Sequence, residues 1–225
     1  MQRRRLRSYL ATLAFIATFI LLSILAGLPA VEHLDYALLG AIVSLRTEPL
    51  NVFFKFMSLF GHTPFFFLAT PFLAAAYFFR RRWPASLAVI VTILGAWSLM
   101  EALKSFFRRP RPNLFPLENA TGFSFPSGHA WMDTVFFGLL GVLLIDKLPD
   151  HYRLRVLVGT GTFLFLVGLS RLYLGVHYPT DVLAGYAGGL SILTLFIAWW
   201  RQTGTRLSPG TRHKPTSDLH LTLKK

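Results

Sequence analysis

The sequence SRLYLGVHYPTD, residues 170–181, separates two long apolar runs and places an arginine, a histidine and an aspartate within one short interruption. Ionisable groups at the edge of hydrocarbon are expensive, and they persist where they pair with one another or carry function. How the interruption is read therefore depends on whether its flanks cross a membrane. With 53% hydrophobic residues and 22 Phe in 225 positions, and a mean hydropathy of +0.50, the chain is a membrane protein rather than a soluble globule. It has no cysteine, which removes disulfides, zinc–thiolate sites and thiol nucleophiles from consideration. The net charge of +13 is gathered in short clusters beside apolar segments, at Arg3 to Arg7, Arg80 to Arg82 and the tail from Arg201. Such clusters set membrane topology. Aromatic residues are not interleaved with them as a nucleic-acid strand would require, so no nucleic-acid partner is expected.

Working outward from residues 170–181, segments of about 20 apolar residues, enough to cross a hydrocarbon core of about 30 Å, occur six times. They are Leu10 to Leu28, Val52 to Phe79, Pro84 to Phe106, Ala130 to Leu148, Val156 to Ser170 and Val182 to Trp200. The first follows an arginine-rich start, but its run is long and LAGLPAVEH is a poor cleavage site, so it reads as a retained helix. Tyr36 to Leu45 is too short to span and is expected at the interface or packed between helices. Basic loops favour the cytoplasm, which puts both termini, Arg80 to Arg82 and the 146–155 loop on that side. Loops 29–51, 107–129 and 171–181 then face outward. Arg108, Arg109 and Arg111 break the rule there, so something other than topology must hold them. The expectation is an all-α, six-span membrane domain over residues 1–200, followed by a basic, disordered cytoplasmic tail, 201–225.

Three polar clusters border the outer side. KSFFRRPRP carries Lys104 near the end of the third span and Arg111 beyond it; Pro110 and Pro112 stop the helix, letting Arg111 fold back towards Lys104. FPSGHA precedes the fourth span. Ser127 is expected to cap that helix, and Gly128 permits close backbone approach, so amides and the helix dipole face an anion. The third cluster contributes Ser170, Arg171, His177 and Asp181. Singly each has a plain structural explanation: snorkelling cations, a turn, an interfacial histidine. Together, three loops on one face supply cations, two histidines, a carboxylate and a helix N-terminus, which suits a phosphoryl group.

These clusters resemble the type 2 phosphatidic acid phosphatase family, whose motifs are K-x6-RP, PSGH and SR-x5-H-x3-D. They stand here as Lys104 with Arg111-Pro112, Pro126 to His129, and Ser170-Arg171 with His177 and Asp181, in the family's order and spacing. The motif resemblance covers residues 104–181. It implies a phosphatase that needs neither metal nor cofactor and works through a phosphohistidine. His177 would attack phosphorus, Asp181 would orient it, and His129 would protonate the leaving oxygen and then activate water. Lys104, Arg111, Arg171, Ser127 and Gly128 would bind the phosphoryl oxygens. The residues agree independently. A two-metal phosphatase needs clustered carboxylates, whereas near the motifs the outer face offers mainly Asp181 and Glu118.

Two further acids lie outside the motifs. Asp133, four residues after His129, falls on the same helical face and is expected to keep that histidine protonated; Glu101, one turn before Lys104, is expected to pair with it. Each could equally serve only to satisfy a buried polar neighbour. Loop 113–125, with Phe115, Phe123 and Phe125, either contacts the lipid chain or anchors at the interface. The implied substrate is a lipid phosphate in the bilayer, namely phosphatidylglycerophosphate, phosphatidic acid or undecaprenyl diphosphate, with the bacterial inner membrane as location. Lipid phosphotransfer through the same phosphohistidine is the alternative enzyme reading. Vanadium-dependent haloperoxidases share the motifs but are soluble. An anionic-lipid transporter or scramblase would place polar groups near the midplane, whereas these sit at one face.

Overall fold

The structure, a computed structural model, describes residues 2–202 apart from Phe115, with side chains from Leu6 onward. The expected tail therefore falls almost wholly outside the described residues, as does the expectation for Phe115. The described residues contain eight α-helices and no strand: α1 (Gln2–Leu25), α2 (Pro29–Val43), α3 (Glu48–Ser58), α4 (Thr63–Phe78), α5 (Trp83–Phe107), α6 (Gly128–Ile145), α7 (Arg153–Tyr173) and α8 (Pro179–Gln202). Five segments are long and apolar enough to cross a membrane: Leu6–Leu25, Trp83–Phe107, Gly128–Ile145, Asp150–Tyr173 and Pro179–Gln202. The expected all-α, polytopic architecture is what forms.

The expected span Val52 to Phe79 is not one helix. It breaks at a 3-10 turn, Leu59–Gly61, and His62 adopts extended backbone (φ −72°, ψ 138°) before α4 begins with Pro64 in its first turn. Proline lacks the amide that would continue α3, and it biases the residues before it away from the helical region. The remaining α4 is apolar, interrupted by Pro71, and at 16 residues runs only about 24 Å. The short segment at Tyr36 belongs to a longer helix, α2. The chain bends by 120° between α2 and the Glu48–Gly61 segment, a broken or re-entrant pair. Both α2 and α3 pack against α7.

At the centre stands α6. Trp131, Val135, Leu139 and Leu143, spaced by four residues, are all buried, a stripe that fits one side of a helix. Around it lie two apolar clusters, one with Phe66, Ile93 and Met100, the other with Tyr77, Val89 and Phe196. The approach of α8 to α6 depends on small residues. A Cβ on Gly188 would lie 1.8 Å from Trp131 Cζ3, and one on Gly185 would lie 2.7 Å from the Ser127 carbonyl. Close backbone packing of this kind is how helices associate where no water drives them together. The outer helix α1 lies along α8, joined by Thr12 Oγ1 to Thr194 Oγ1 at 2.9 Å, and turns Leu13, Ile16, Ile20 and Ile24 outward.

Candidate active site

One end of the bundle gathers all three motif clusters. Helix α5 stops where Arg108 takes a left-handed conformation (φ 49°), its amide bonding the Lys104 carbonyl, and Pro110 and Pro112 carry the chain back across the bundle. The α7–α8 turn is anchored to this loop by Leu117 N to Leu174 O at 2.9 Å, and to the start of α6 by Ser127 N to Asp181 O at 3.0 Å. Backbone hydrogen bonds thus hold residues far apart in sequence in one register.

His177 is buried, and its two ring nitrogens face different groups. Nε2 lies 3.1 Å from Arg111 Nη1. A guanidinium can only donate, so Nε2 must present its lone pair and the imidazole proton sits on Nδ1. That nitrogen is 3.4 Å from Asp181 Oδ2, an oxygen fixed by the Tyr178 amide at 2.9 Å. Burial, followed by the positive charges of Arg111, Arg171 and Lys104, holds the His177 pKa well below the ordinary imidazole value. Both effects favour the neutral ring, with its lone pair on Nε2. Arg111 is fixed by carbonyls: Nε to Gly122 at 3.1 Å, Nη2 to Thr121 at 2.9 Å and Nη1 to Val176 at 2.9 Å.

Helix α6 points its N-terminus into this space. Ser127 occupies the cap position, but its hydroxyl makes no capping bond, which corrects the sequence expectation; it is buried and without a partner. The amides of the first turn have no helical acceptors, so hydroxyl and helix end together present donors to an anion. Lys104 Nζ comes within 3.4 Å of the position a Gly128 side chain would occupy. Opposite, Arg171 is buried and donates through Nη1 to Ser58 Oγ and, at 2.9 Å, to Glu118 Oε2. His129 Nε2 lies 3.1 Å from the Ser58 carbonyl, which can only accept, so this nitrogen carries the proton.

Two expectations fail at the level of contacts. Glu101 is exposed on α5 and makes no ion pair with Lys104 among the described residues. Asp133 is fully buried, yet neither oxygen has a hydrogen-bond partner, His129 included. A Cβ on Gly61 would meet His129 Cδ2 at 2.2 Å and Asp133 Oδ2 at 2.7 Å, so acid and imidazole flank the same glycine without bonding. Loop aromatics also divide: Phe125 is buried against Phe107 (centroids 4.9 Å) and serves the core, while Phe123 remains exposed.

His62, Glu118 and His129 each bring a ligand atom within 4.8 Å of the others. Glu118, however, is bonded by the Arg171 guanidinium, and a cation would have to share that carboxylate with a fixed positive charge. The trio reads as the rim of an anion site. Ser58, Gly61 and His62 reach it because the helix breaks at Gly61.

A basic pocket with one imidazole presenting a lone pair, one presenting a proton, and a helix N-terminus suits a phosphoryl group in its chemistry. The family profile described as the PAP2 superfamily matches residues 83–205. The chain belongs to the PAP2 superfamily. Phosphatidylglycerophosphatase B of Bacillus subtilis is 32% identical over 79% of this chain and 88% of its own length. The undecaprenyl-diphosphatase of Sulfolobus acidocaldarius is 30% identical over 62% of this chain and 66% of its own. Among solved structures, the crystal structure of the transmembrane PAP2-type phosphatidylglycerolphosphate phosphatase from Bacillus subtilis superimposes with a TM-score of 0.80 at 28% identity. It covers 88% of this chain and 98% of that one.

The PAP2 motifs were legible in the sequence, but four neighbours were not placed by it. Asp35, Ser58 and His62 belong to segments that read as loop or continuous span. Arg109 stood out only as a violation of the charge rule. Its partners explain the violation: Nη1 bonds Asp181 Oδ1 at 2.7 Å and Nη2 bonds Asp35 Oδ2 at 2.8 Å.

Proposed function

We propose that this PAP2 chain is a lipid phosphate phosphatase in which His177 forms a phosphohistidine without a metal. The carrying observation is the contact between Arg111 and His177 Nε2, which leaves the lone pair on the nitrogen facing the cationic pocket and the proton on the nitrogen facing Asp181.

The substrate phosphate enters among Lys104, Arg111 and Arg171, displacing the Glu118 carboxylate from Arg171 and accepting from the Ser127 hydroxyl and the Gly128 amide. His177 Nε2 attacks phosphorus, forming the N–P bond while the P–O bond to the lipid breaks. Asp181 stabilises the positive charge that develops on the ring. His129, entering the step as the imidazolium, gives a ring proton to the departing oxygen and is left as the neutral imidazole. A water then attacks phosphorus, His129 takes its proton, the N–P bond breaks, and inorganic phosphate leaves with His177 restored. The cations and α6 amides stabilise the equatorial oxygens throughout.

The substrate we propose first is phosphatidylglycerophosphate, the lipid named for both the Bacillus subtilis relative and the Bacillus subtilis crystal structure, with undecaprenyl diphosphate and phosphatidic acid beside it. The bundle belongs in a membrane. We place it in the bacterial inner membrane, termini inward and site outward, because the basic loops at residues 80–82 and 146–155 lie at the end opposite the motifs. The test is phosphate release by purified protein, with EDTA present, from the three lipids in parallel and beside His177→Ala. Release that survives EDTA and vanishes in the variant supports the mechanism; release from His177→Ala, or dependence on added metal, refutes it.

A further inference from the structure

Arg109, at an unspecified position of the first motif, and Asp35, outside all three, are built into the site more completely than several of the specified motif residues. The Arg109 guanidinium divides between two carboxylates: Nη1 goes to Asp181 Oδ1 and Nη2 to Asp35 Oδ2. Thr180 closes the figure. Its hydroxyl accepts from Arg109 Nη1 at 2.7 Å and donates to Asp35 Oδ2 at 2.5 Å, and its amide donates to Asp35 Oδ1 at 3.1 Å. Both acids are essentially inaccessible, Asp35 at 1% and Asp181 at 0% exposure. The guanidinium also lies over the Tyr178 ring, 4.2 Å from its centroid, and Tyr178 donates to Tyr36 of α2 at 2.7 Å. Although burial disfavours its charge, Asp181 and Asp35 hold the Arg109 pKa above the ordinary guanidinium value. Arg109 is thus a permanent cation placed between two buried anions.

We propose that Asp35 and Arg109 are positioning residues that aim Asp181 at His177 and set the electrostatic balance under which His177 attacks. Because Arg109 occupies Oδ1, only Oδ2 is left to face Nδ1 of His177, and the carboxylate cannot rotate without breaking a charge-assisted bond. The triad of Asp35, Arg109 and Asp181 carries one surplus negative charge. That charge lies beside the ring on which attack creates a positive one, fixed in advance in a site shielded from water. A buried ion pair is weak evidence for stability, which makes a functional reason for keeping two acids and an arginine here more economical. The inference rests on His177 being the nucleophile.

The two residues have opposite charges, so they must act on His177 in opposite directions. The other charged or titratable groups around that ring are Lys104 of α5, Arg111 beyond it, His129 of α6, Arg171 of α7 and Asp181 of α8; none is altered in the test. Asp35→Asn removes a negative charge, disfavours the imidazolium, and moves the acid limb of kcat/KM to lower pH. Arg109→Gln removes a positive charge, favours the imidazolium, and moves that limb to higher pH. Each shift is expected to be about one pH unit, with kcat lowered roughly 10- to 100-fold, as for lost outer-shell partners, and KM little changed. Substrate ionisation is common to all variants and cancels in the comparison.

Wild type, Asp35→Asn, Arg109→Gln, Arg109→Lys and His177→Ala are compared over a pH series, each after confirming monodisperse elution. Opposite shifts, with Arg109→Lys partly restoring the rate, support the proposal. If Arg109→Gln fails to fold, the near-isosteric Asp35→Asn decides alone by the direction of its shift. An Asp35→Asn protein that elutes normally with an unmoved pH profile overturns the proposal, as do shifts of the same sign in both variants. Failure of the nucleophile reading looks different, because His177→Ala would then retain activity.

Discussion

Replacing Gly61 by alanine isolates the role of His129. Gly61 is buried at the end of the 3-10 turn, and its φ is not in the left-handed region, so the backbone accepts an L-residue and a helical turn even favours one. The obstacle is the side chain. The new methyl would start 2.2 Å from His129 Cδ2 and 2.5 Å from Cγ, where ordinary contact begins at 3.4 Å. The imidazole must therefore move by about 1 Å, a displacement that can cost on the order of 100-fold in a positioned catalytic group. The loss should depend on the leaving group. A lipid phosphomonoester releases an alkoxide and needs the proton of His129, so its kcat should fall about 100-fold. A p-nitrophenyl ester releases a stable anion, so its kcat should fall only a few-fold. Rates on both substrates, with thermal stability measured in the same detergent, make the comparison. Equal losses on the two esters would refute the assignment of His129 as acid, and an unchanged lipid rate would refute the packing argument itself.

Lys104→Ala should reduce kcat by about 10²- to 10³-fold, like other lost donors to a developing anion, without altering thermal stability; a change confined to KM would contradict its transition-state role. Glu118→Gln removes the negative charge resting on Arg171, so inorganic phosphate should inhibit that variant more tightly than wild type, and an equal or weaker inhibition constant would argue that the carboxylate does not occupy the phosphate position. Because burial and three cations hold His177 neutral, and the neutral ring is the nucleophile, kcat/KM should keep its plateau below the ordinary imidazole range once substrate ionisation is corrected; a decline at the pKa of free imidazole would count against it. Gly175 has φ +75° and a neighbouring Arg46 Nη2 2.8 Å from where a Cβ would stand, so Gly175→Ala should destabilise the fold by about 1–2 kcal/mol or more, read as a lowered melting temperature.

Periodicity and length found α1, α5, α6, α7 and α8, because a helix surrounded by lipid and apolar neighbours writes its extent into uninterrupted hydrophobic sequence. The same signal misled at Val52 to Phe79, where GHTP stops the helix within an apolar run; the glycine and proline were visible, but hydropathy outweighed them. Motif spacing brought His177, Asp181, His129, Arg171 and Arg111 together correctly, since each sits at a helix end or in a turn fixed by local rules. Asp35 lies 146 residues from Asp181 in numbering, and no local rule joins them. Their union through Arg109 is a product of tertiary packing. Ser127 and Glu101 show the complementary error: cap and i,i+3 rules describe what an isolated helix would do, whereas here the hydroxyl is left unbonded and the exposed glutamate makes no ion pair with Lys104.

The glycine-lined seam between α6 and α8 gives the molecule an uneven mechanical character. Ser127, Gly128 and His129 on one side and Asp181 on the other are borne by helices whose backbones nearly touch, so the reacting groups share one stiff chassis. Arg111 and Glu118 ride instead on the 108–127 connection, anchored by a handful of carbonyls. Exchanges at its exposed positions Asn113, Asn119 and Phe123 are therefore expected to alter which headgroup is admitted while Arg109 and Arg111 keep Asp181 and His177 aligned, a division of labour between a changeable rim and a fixed interior.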